Sequence, residues 1–306
     1  MAKSNSSRKV YSTVPDKIFD TFNIIFMIAI MIVTLYPFLN MFALSFNEAN
    51  DSIRGSIYIW PREWTWANYE YVFNESSIFG ATLISAARTI LGTVTSVFAT
   101  AMLAYTISRP EYLLRKFVTI VFIFTMYFSG GLIPNYLLTK QLGLLDSFWV
   151  YIIPGLVGVF NMIVIRSFIE GLPDGIMESA RIDGAGEFTT FMKIVLPLTV
   201  PALATVSLFV AVYQWNSWFD VFLYNSSNIN LSTLQYELMK ILSTSTTSTG
   251  TTAGDAFANA QGNATAVTPT SIRATMTIVA SLPIIIVYPF LQKYFVTGMT
   301  VGGVKG

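Results

Sequence analysis

Glu170-Gly-Leu-Pro-Asp-Gly-Ile-Met-Glu-Ser-Ala-Arg-Ile-Asp-Gly-Ala-Gly-Glu-Phe-Thr-Thr-Phe-Met-Lys-Ile-Val-Leu-Pro197 lies between two strongly apolar runs. It reads as two short helices joined at a glycine corner. Pro173 suits the first turn of a helix, where its missing N–H has no partner to lose, and Asp174 and Glu178 suit the positive N-terminal end. Gly184 is placed to take the left-handed backbone that stops this helix. Beyond it, Phe188, Phe191, Met192 and Val195 recur at helical spacing and predict one apolar face on a second helix. Pro197 and Pro201 follow as the next apolar run begins. Taken on this pattern alone, the stretch fits an ordinary interfacial amphipathic loop as well as a dedicated docking element.

The flanking runs belong to a set of six: Thr21–Leu44, Ile78–Ile107, Phe117–Leu138, Ser147–Ile165, Ile194–Phe219 and Ala274–Gln292. Each is near the roughly 20 residues that a helix needs to cross a bilayer. The chain of 306 residues is 53% hydrophobic and only 11% charged, whereas a typical soluble protein is about 25% charged. That is too little charge to coat two soluble domains, which the length alone would suggest. The composition predicts an all-α polytopic protein of the cell membrane with six transmembrane helices and membrane lipid as its solvent. It reads as a single transmembrane domain over 1–306, with an N-terminal segment 1–17, a loop 166–197, a long loop 224–272 and a tail 293–306. The first run is too long for a cleaved signal peptide, and no small-residue cleavage site follows it.

Orientation follows from Lys and Arg in the short loops. One side carries Lys3, Arg8, Lys9, Lys17, Arg109, Arg115, Lys116, Arg166, Arg181, Lys193, Lys293 and Lys305. The other carries Arg54, Arg62, Lys140, Lys240 and Arg273. The excess predicts that both termini and the 166–197 loop are cytoplasmic. Trp60, Trp64, Trp66, Trp149, Trp215 and Trp218 then fall on or near the outer interface, as an aromatic belt would. In the outer loop, the Ser/Thr/Gly/Ala run Ser243–Ser271 lacks the apolar surface to fold by itself.

With no Cys and no His, disulfides, Cys/His zinc sites and Ser-His-Asp or Cys-His catalysis are excluded. A net charge of +1 offers no field for nucleic acid. No G-x-x-x-x-G-K-[ST] run is present, so the chain has no phosphate cradle of its own. Neither an enzyme nor a metal or cofactor site is expected.

The spacing Glu178-Ser-Ala180, Asp183-Gly184, then Ile194-Val-Leu-Pro197 resembles the EAA loop of ABC importer permeases, with Ser179 in place of the usual first Ala. Further marks are Leu35-Tyr-Pro-Phe38, Phe128-Ser-Gly-Gly-Leu-Ile-Pro134, Gly143-Leu-Leu-Asp146, Trp215-Asn-Ser-Trp218, Tyr288-Pro-Phe-Leu-Gln-Lys-Tyr-Phe295 and Val301-Gly-Gly-Val-Lys-Gly306. Together they make nearly the full chain similar to the second permease of maltose-type carbohydrate importers, in the oligosaccharide, aldouronate and alginate-oligosaccharide branch. The resemblance implies the type I ABC importer permease fold. It also implies a heterodimer with a second homologous permease, two ATP-binding cassette ATPase subunits that hold the ATP, an extracellular solute-binding lipoprotein and an oligosaccharide substrate. Carried over by position, Glu178, Ala180, Asp183 and Gly184 form the element that docks on the ATPase, anchored by Ile194, Leu196 and Pro197. Gly302, Gly303, Lys305 and Gly306 match a tail that reaches the ATPase interface, or else a frayed terminus. The outer loop Tyr224–Ser271 corresponds to one that meets the binding protein, with Leu234–Leu242 as the part expected to form a packed helix.

Arg88 is the sole charge inside the six runs. Two readings stand for it: a group on the translocation path or permease contact, and a structural or snorkelling Arg. Tyr213, Gln214, Trp215, Asn216 and Trp218, with Asp220 beyond them, supply aromatic faces and amides suited to sugar; interfacial anchoring explains them too. Pro154, Pro283 and Pro289 interrupt the fourth and sixth runs. An ion-coupled secondary transporter is the alternative function, but such carriers use intramembrane carboxylates and repeats, and the six runs contain no Asp or Glu.

Overall fold

A computed structural model describes residues 14–74, 76–247 and 267–303. The helices are α1 (Val14–Ser45), α2 (Ala49–Ile53), α3 (Ala67–Asn74), α4 (Ser76–Ser108), α5 (Arg115–Tyr127), α6 (Leu132–Gln141) and α7 (Val159–Glu170). They continue with α8 (Asp174–Ile182), α9 (Glu187–Thr190), α10 (Leu196–Leu198), α11 (Val200–Asn216), α12 (Phe219–Tyr224), α13 (Leu234–Thr247) and α14 (Pro269–Gly303). Among the described residues there is no strand beyond an isolated antiparallel bridge between Asn47 and Trp64. The chain divides into two compact units, Met1–Tyr69 with Thr265–Ile278 and Glu70–Ala264 with Val279–Gly306.

All six apolar runs contain helix, but only three are unbroken. Pro15–Ser45, Ile78–Ser108 and Pro269–Pro289 are each long and apolar enough to cross a membrane. Thr34 and Thr95 bond within their own helices, donating to Ile30 O and Leu91 O at 2.8 and 2.7 Å, whereas the buried hydroxyls of Thr93 and Thr100 have no partner among the described residues. A bond of the first kind lets a polar side chain sit in a span without an unpaired donor. The helix α14 continues through Pro283 and Pro289, so these prolines do not break it as the sequence suggested.

The other three runs depart from simple spans. Between α5 and α6 the chain bends by 120° at Gly131, whose φ of 92° and ψ of 173° lie in a region open almost only to glycine. The fourth run is one 3-10 turn, Phe148–Tyr151, then a non-helical passage through Pro154 and Gly155 before α7. The fifth bends by 82° between Glu187–Leu198 and Val200–Asn216. Gly and Pro at these points outweigh the apolar composition that suggested continuous helices.

In the first unit, Asn47 is fully buried and organises the segment after α1. Its Nδ2 donates to Asp51 Oδ2 at 3.0 Å, while its Oδ1 accepts from the backbone N–H groups of Arg62 and Glu63 at 2.7 and 3.0 Å. Arg62 closes the loop through Asp51 at 2.9 Å. Phe46 packs against Trp64, Trp66 and Tyr69 with ring centroids 5.6, 5.1 and 4.7 Å away. Trp64 and Trp66 are thus part of a built aromatic group and still exposed.

The second unit has a core drawn from α4, α7, α8 and α11, including Ala101, Tyr105, Ile107, Met162, Ile165, Met177, Val206 and Val210. Phe191 and Val195 join it from a π-helical turn, Phe191–Val195, between α9 and α10. That turn separates the predicted apolar face into two. Phe191 and Val195 are 2% and 0% exposed, whereas Phe188 and Met192 are 66% and 40% exposed. The wider i→i+5 winding rotates successive side chains away from the 3.6-residue register on which the expectation rested. In the same unit α13 begins at buried Leu234, whose backbone N–H donates to Ser85 Oγ of α4 at 2.9 Å. The expected helix over Leu234–Leu242 is present. Most of the Ser/Thr-rich stretch, 248–266, lies outside the described residues.

Candidate coupling helix and outer elbow

The helix α8 carries Asp174 in its first turn and Arg181 in its last, matching both ends of the helix dipole. Its C-terminus is a Schellman closure: Gly184 N–H donates to Arg181 O at 3.0 Å and Ala185 N–H to Ala180 O at 2.9 Å. Gly184 has φ of +76°, and a Cβ there would meet nothing within 4 Å. The glycine is required by backbone conformation and not by crowding. Met177 and Ala180 face inward, at 7% and 4% exposure. Glu178, Ser179 and Asp183 are exposed, with Ile182 and Phe188 presenting apolar side chains on either side of the corner. Ile194 and Leu196 are half-buried and Pro197 is exposed. The predicted docking residues thus split into an inward anchor, Ala180, and an outward surface.

A polar network that sequence reasoning missed ties this corner to the end of α4. Arg181 donates through Nη1 to Glu111 Oε1 at 2.5 Å and through Nη2 to Glu187 Oε1 at 3.3 Å. Buried Tyr105 donates its hydroxyl to Glu187 Oε2 at 2.6 Å, and the Arg109 guanidinium lies 4.7 Å from the Tyr105 ring centroid. Hydrogen bonding from Arg181 holds the Glu111 carboxyl down at about 2, and the same contact pushes Arg181 up. The residue types gave no signal of this, because Glu111 lies 70 positions from Arg181.

Nearer the middle of α4, Arg88 is 1% exposed. It donates to Asp220 Oδ2 at 2.5 Å and Oδ1 at 3.2 Å, to Gln214 Oε1 at 3.0 and 3.2 Å, and to Ser217 O at 3.3 Å. Its guanidinium also stands 4.4 Å from the Tyr151 ring centroid. Gln214 returns a bond to Tyr151 O at 3.1 Å, and it lies so close to Gly92 that a Cβ there would come within 2.7 Å of Nε2. Arg88 therefore clamps the elbow where α11 gives way to α12, and the pair with Asp220 answers the cost of a charge in an apolar run. These contacts support the structural reading of Arg88, with the guanidinium bonded to Gln214, Ser217 and Asp220 and one face against the Tyr151 ring.

The remaining candidates divide by exposure. Trp215 is buried and donates Nε1 to Ala280 O at 2.9 Å, pinning α11 to α14. Tyr213, Asn216 and half-buried Trp218 line one open cleft with Val212, Ser217 and Phe219. Gln214 and Trp215 thus support the elbow from within, and the accessible aromatic and amide groups are Tyr213, Asn216 and Trp218. Gly302 and Gly303 belong to α14, while Lys305 and Gly306 lie outside the described residues.

Residues 92–301 match the family described as "Binding-protein-dependent transport system inner membrane component". Over 291 residues the chain is 34% identical to the polygalacturonan/rhamnogalacturonan transport system permease protein YtcP of Bacillus subtilis, covering 95% of this chain and 99% of that one. It is 38% identical to protein LplC of the same organism over 97% of this chain and 98% of the relative. A solved structure of a bacterial ABC transporter involved in import of the acidic polysaccharide alginate matches with a TM-score of 0.83 at 27% identity, over 92% of this chain and 98% of that one. The α-helical fold is that of the alginate importer structure, and the chain belongs to the family of inner-membrane permease components of binding-protein-dependent ABC transporters.

Proposed function

We propose that this chain forms half of the path by which an oligosaccharide enters the cell, moved by alternating access while separate subunits hydrolyse ATP. The observation that carries the reading is the corner at Gly184: a helix anchored inward by Met177 and Ala180 that presents Glu178, Asp183, Ile182 and Phe188 outward. Such a rigid knob with an apolar centre and acidic rim suits a groove on a partner. We assign that groove to an ATP-binding subunit, two copies of which serve this permease and a second, homologous one. The excess of Lys and Arg on one side supports a cytoplasmic position for both termini and the corner.

A carbohydrate is favoured because one relative is named for polygalacturonan/rhamnogalacturonan transport and the similar solved structure belongs to a transporter involved in import of the acidic polysaccharide alginate. The cleft of Tyr213, Asn216 and Trp218 offers what a sugar needs, aromatic faces beside an amide. An extracellular binding lipoprotein delivers the substrate, and α13 is the segment of the outer loop assigned to meet it. An ion-coupled mechanism has less support: Asp220, the carboxylate at the elbow, is already paired with Arg88.

The test is uptake by a deletion strain and by the reconstituted complex across a panel of neutral and acidic oligosaccharides. Import that needs ATP and the binding protein is expected. Import driven by an ion gradient without ATP would refute the reading.

A further inference from the structure

Glu178, Asp183 and Gly184 describe how the corner could meet a partner, but not how force on it reaches the membrane. Apolar contacts from Met177 and Ala180 can slide; the polar contacts are directional. Arg181, on α8, holds Glu111 from the segment after α4 and Glu187 from the first turn of α9. Glu187 in turn accepts from the hydroxyl of Tyr105, which is 5% exposed and sits in the last turn of α4. One carboxylate therefore bridges a surface guanidinium and a buried phenol, and one guanidinium bridges two carboxylates from different segments. An isolated exposed ion pair contributes little, but a chain of charge-assisted bonds fixed at a buried end restricts orientation.

The helix α4 is unbroken from Ser76 to Ser108, so whatever moves Tyr105 moves Arg88. These residues are 17 positions apart, or about 26 Å along the axis at the helical rise. Arg88 in turn holds Asp220, Gln214 and Ser217 at the α11–α12 elbow. The polar contacts thus form a continuous linkage from the coupling corner to the cleft of Tyr213, Asn216 and Trp218.

We propose that Arg181, Glu111, Glu187 and Tyr105 are positioning residues that lock the coupling corner to α4, making that helix the rod that carries the ATPase stroke to the outer elbow. The proposal rests on the assignment of α8 as the ATPase-docking helix. Nothing in it requires Arg181 itself to touch the ATPase.

The experiment uses the complete complex in proteoliposomes and reads sugar imported per ATP hydrolysed, a ratio that a loss of folded protein does not change. Arg181→Glu and Glu111→Arg are each expected to lower it by at least about fivefold, the lower end of coupling effects between linked sites. The double exchange, Arg181→Glu with Glu111→Arg, rebuilds the bond to position 111 but sets a carboxylate at position 181 against Glu187, and is expected to recover part of the lost ratio, above both single variants. Wild-type ratios in the single variants would overturn the proposal. So would a double exchange no better than the singles, since the Arg181–Glu111 bond would then carry nothing from the corner to α4. Tyr105→Phe removes only the hydroxyl and keeps the buried ring; it is expected to lower the ratio in a complex that assembles normally, and an unchanged ratio would detach α4 from the linkage. Glu178→Arg, on the outward face of α8, tests the underlying assignment separately. If it leaves both ATP hydrolysis and import at wild-type values, the docking reading fails; if it uncouples while the Arg181 and Glu111 variants do not, only the linkage fails.

Discussion

Gly184 separates backbone conformation from packing, because its φ is +76° while the space beyond its Cα is empty. Any L side chain there pays left-handed strain of about 1–3 kcal/mol, with Asn the mildest because its short amide bonds locally. Gly184→Asp is therefore expected to insert and assemble but to lose substrate-stimulated ATP hydrolysis, with Gly184→Asn intermediate; equal activity in all three would remove the corner from the coupling path. At Glu111 the depressed carboxyl leads to a pH effect of definite sign. Stability contributed by its bond to Arg181, with Arg109 also nearby, is fully present above the ordinary carboxylate value of 4.5 and fades as pH falls toward about 2. Glu111→Gln should flatten that acid limb in thermal melts of the detergent-solubilised protein by lowering the melting temperature near neutral pH by the amount the wild type loses in acid, a small one because the pair is exposed. A steep limb that survives the substitution would place the titration elsewhere. Gly184 was legible in the sequence because a helix stop is a local property of one backbone. The partners of Arg181 were not, because chain distance hides a contact made only by tertiary folding.

At the scale of elements, the clamp on the α11–α12 elbow makes a sharper demand. Removing Asp220 leaves Arg88 buried beside Gln214 with no countercharge, and breaking such a pair costs about 3–5 kcal/mol. Asp220→Ala should thus lower the thermal midpoint well below that of the double variant Arg88→Met, Asp220→Leu, which removes both charges. If the single and double variants melt together, the charge pair is not what holds the elbow. The apolar runs were readable as membrane helix from composition, and α1, α4 and α14 follow that reading. Where it misled was at Gly131, at Pro154–Gly155, at Thr199 and in the π turn through Phe191–Val195. Hydropathy sums over a window and is blind to a single residue that redirects the backbone. The aromatic and amide residues around Trp215 show the same limit: their types suggested a sugar-binding face, yet only contacts distinguish Tyr213, turned outward, from Trp215, spent on Ala280 O. Arg88 was conspicuous as the one charge in a span, and Asp220 stood out just past the fifth run, but nothing in the sequence paired the two across 132 positions.

For the molecule as a whole, the separation between Arg88 and its partners sets an order of events. Gln214 and Asp220 follow Arg88 by 126 and 132 residues, so the ribosome delivers the guanidinium long before anything exists to receive it. A centrally placed Arg opposes insertion by about 2.5–3.5 kcal/mol on translocon scales, which several Leu, Ile or Val residues are needed to offset. The second span is therefore expected to enter lipid slowly, or to wait beside the translocon until the fifth emerges. Nascent chains stalled at Leu198 are expected to show α4 only partly inserted by glycosylation mapping, and chains stalled at Leu231 to show it fully inserted. Arg88→Leu should erase the difference; full insertion at both lengths in the wild type would refute the delay. On this expectation biogenesis is paced by a buried residue, and Asp220→Ala should show its defect in how much protein reaches the membrane before any defect in transport.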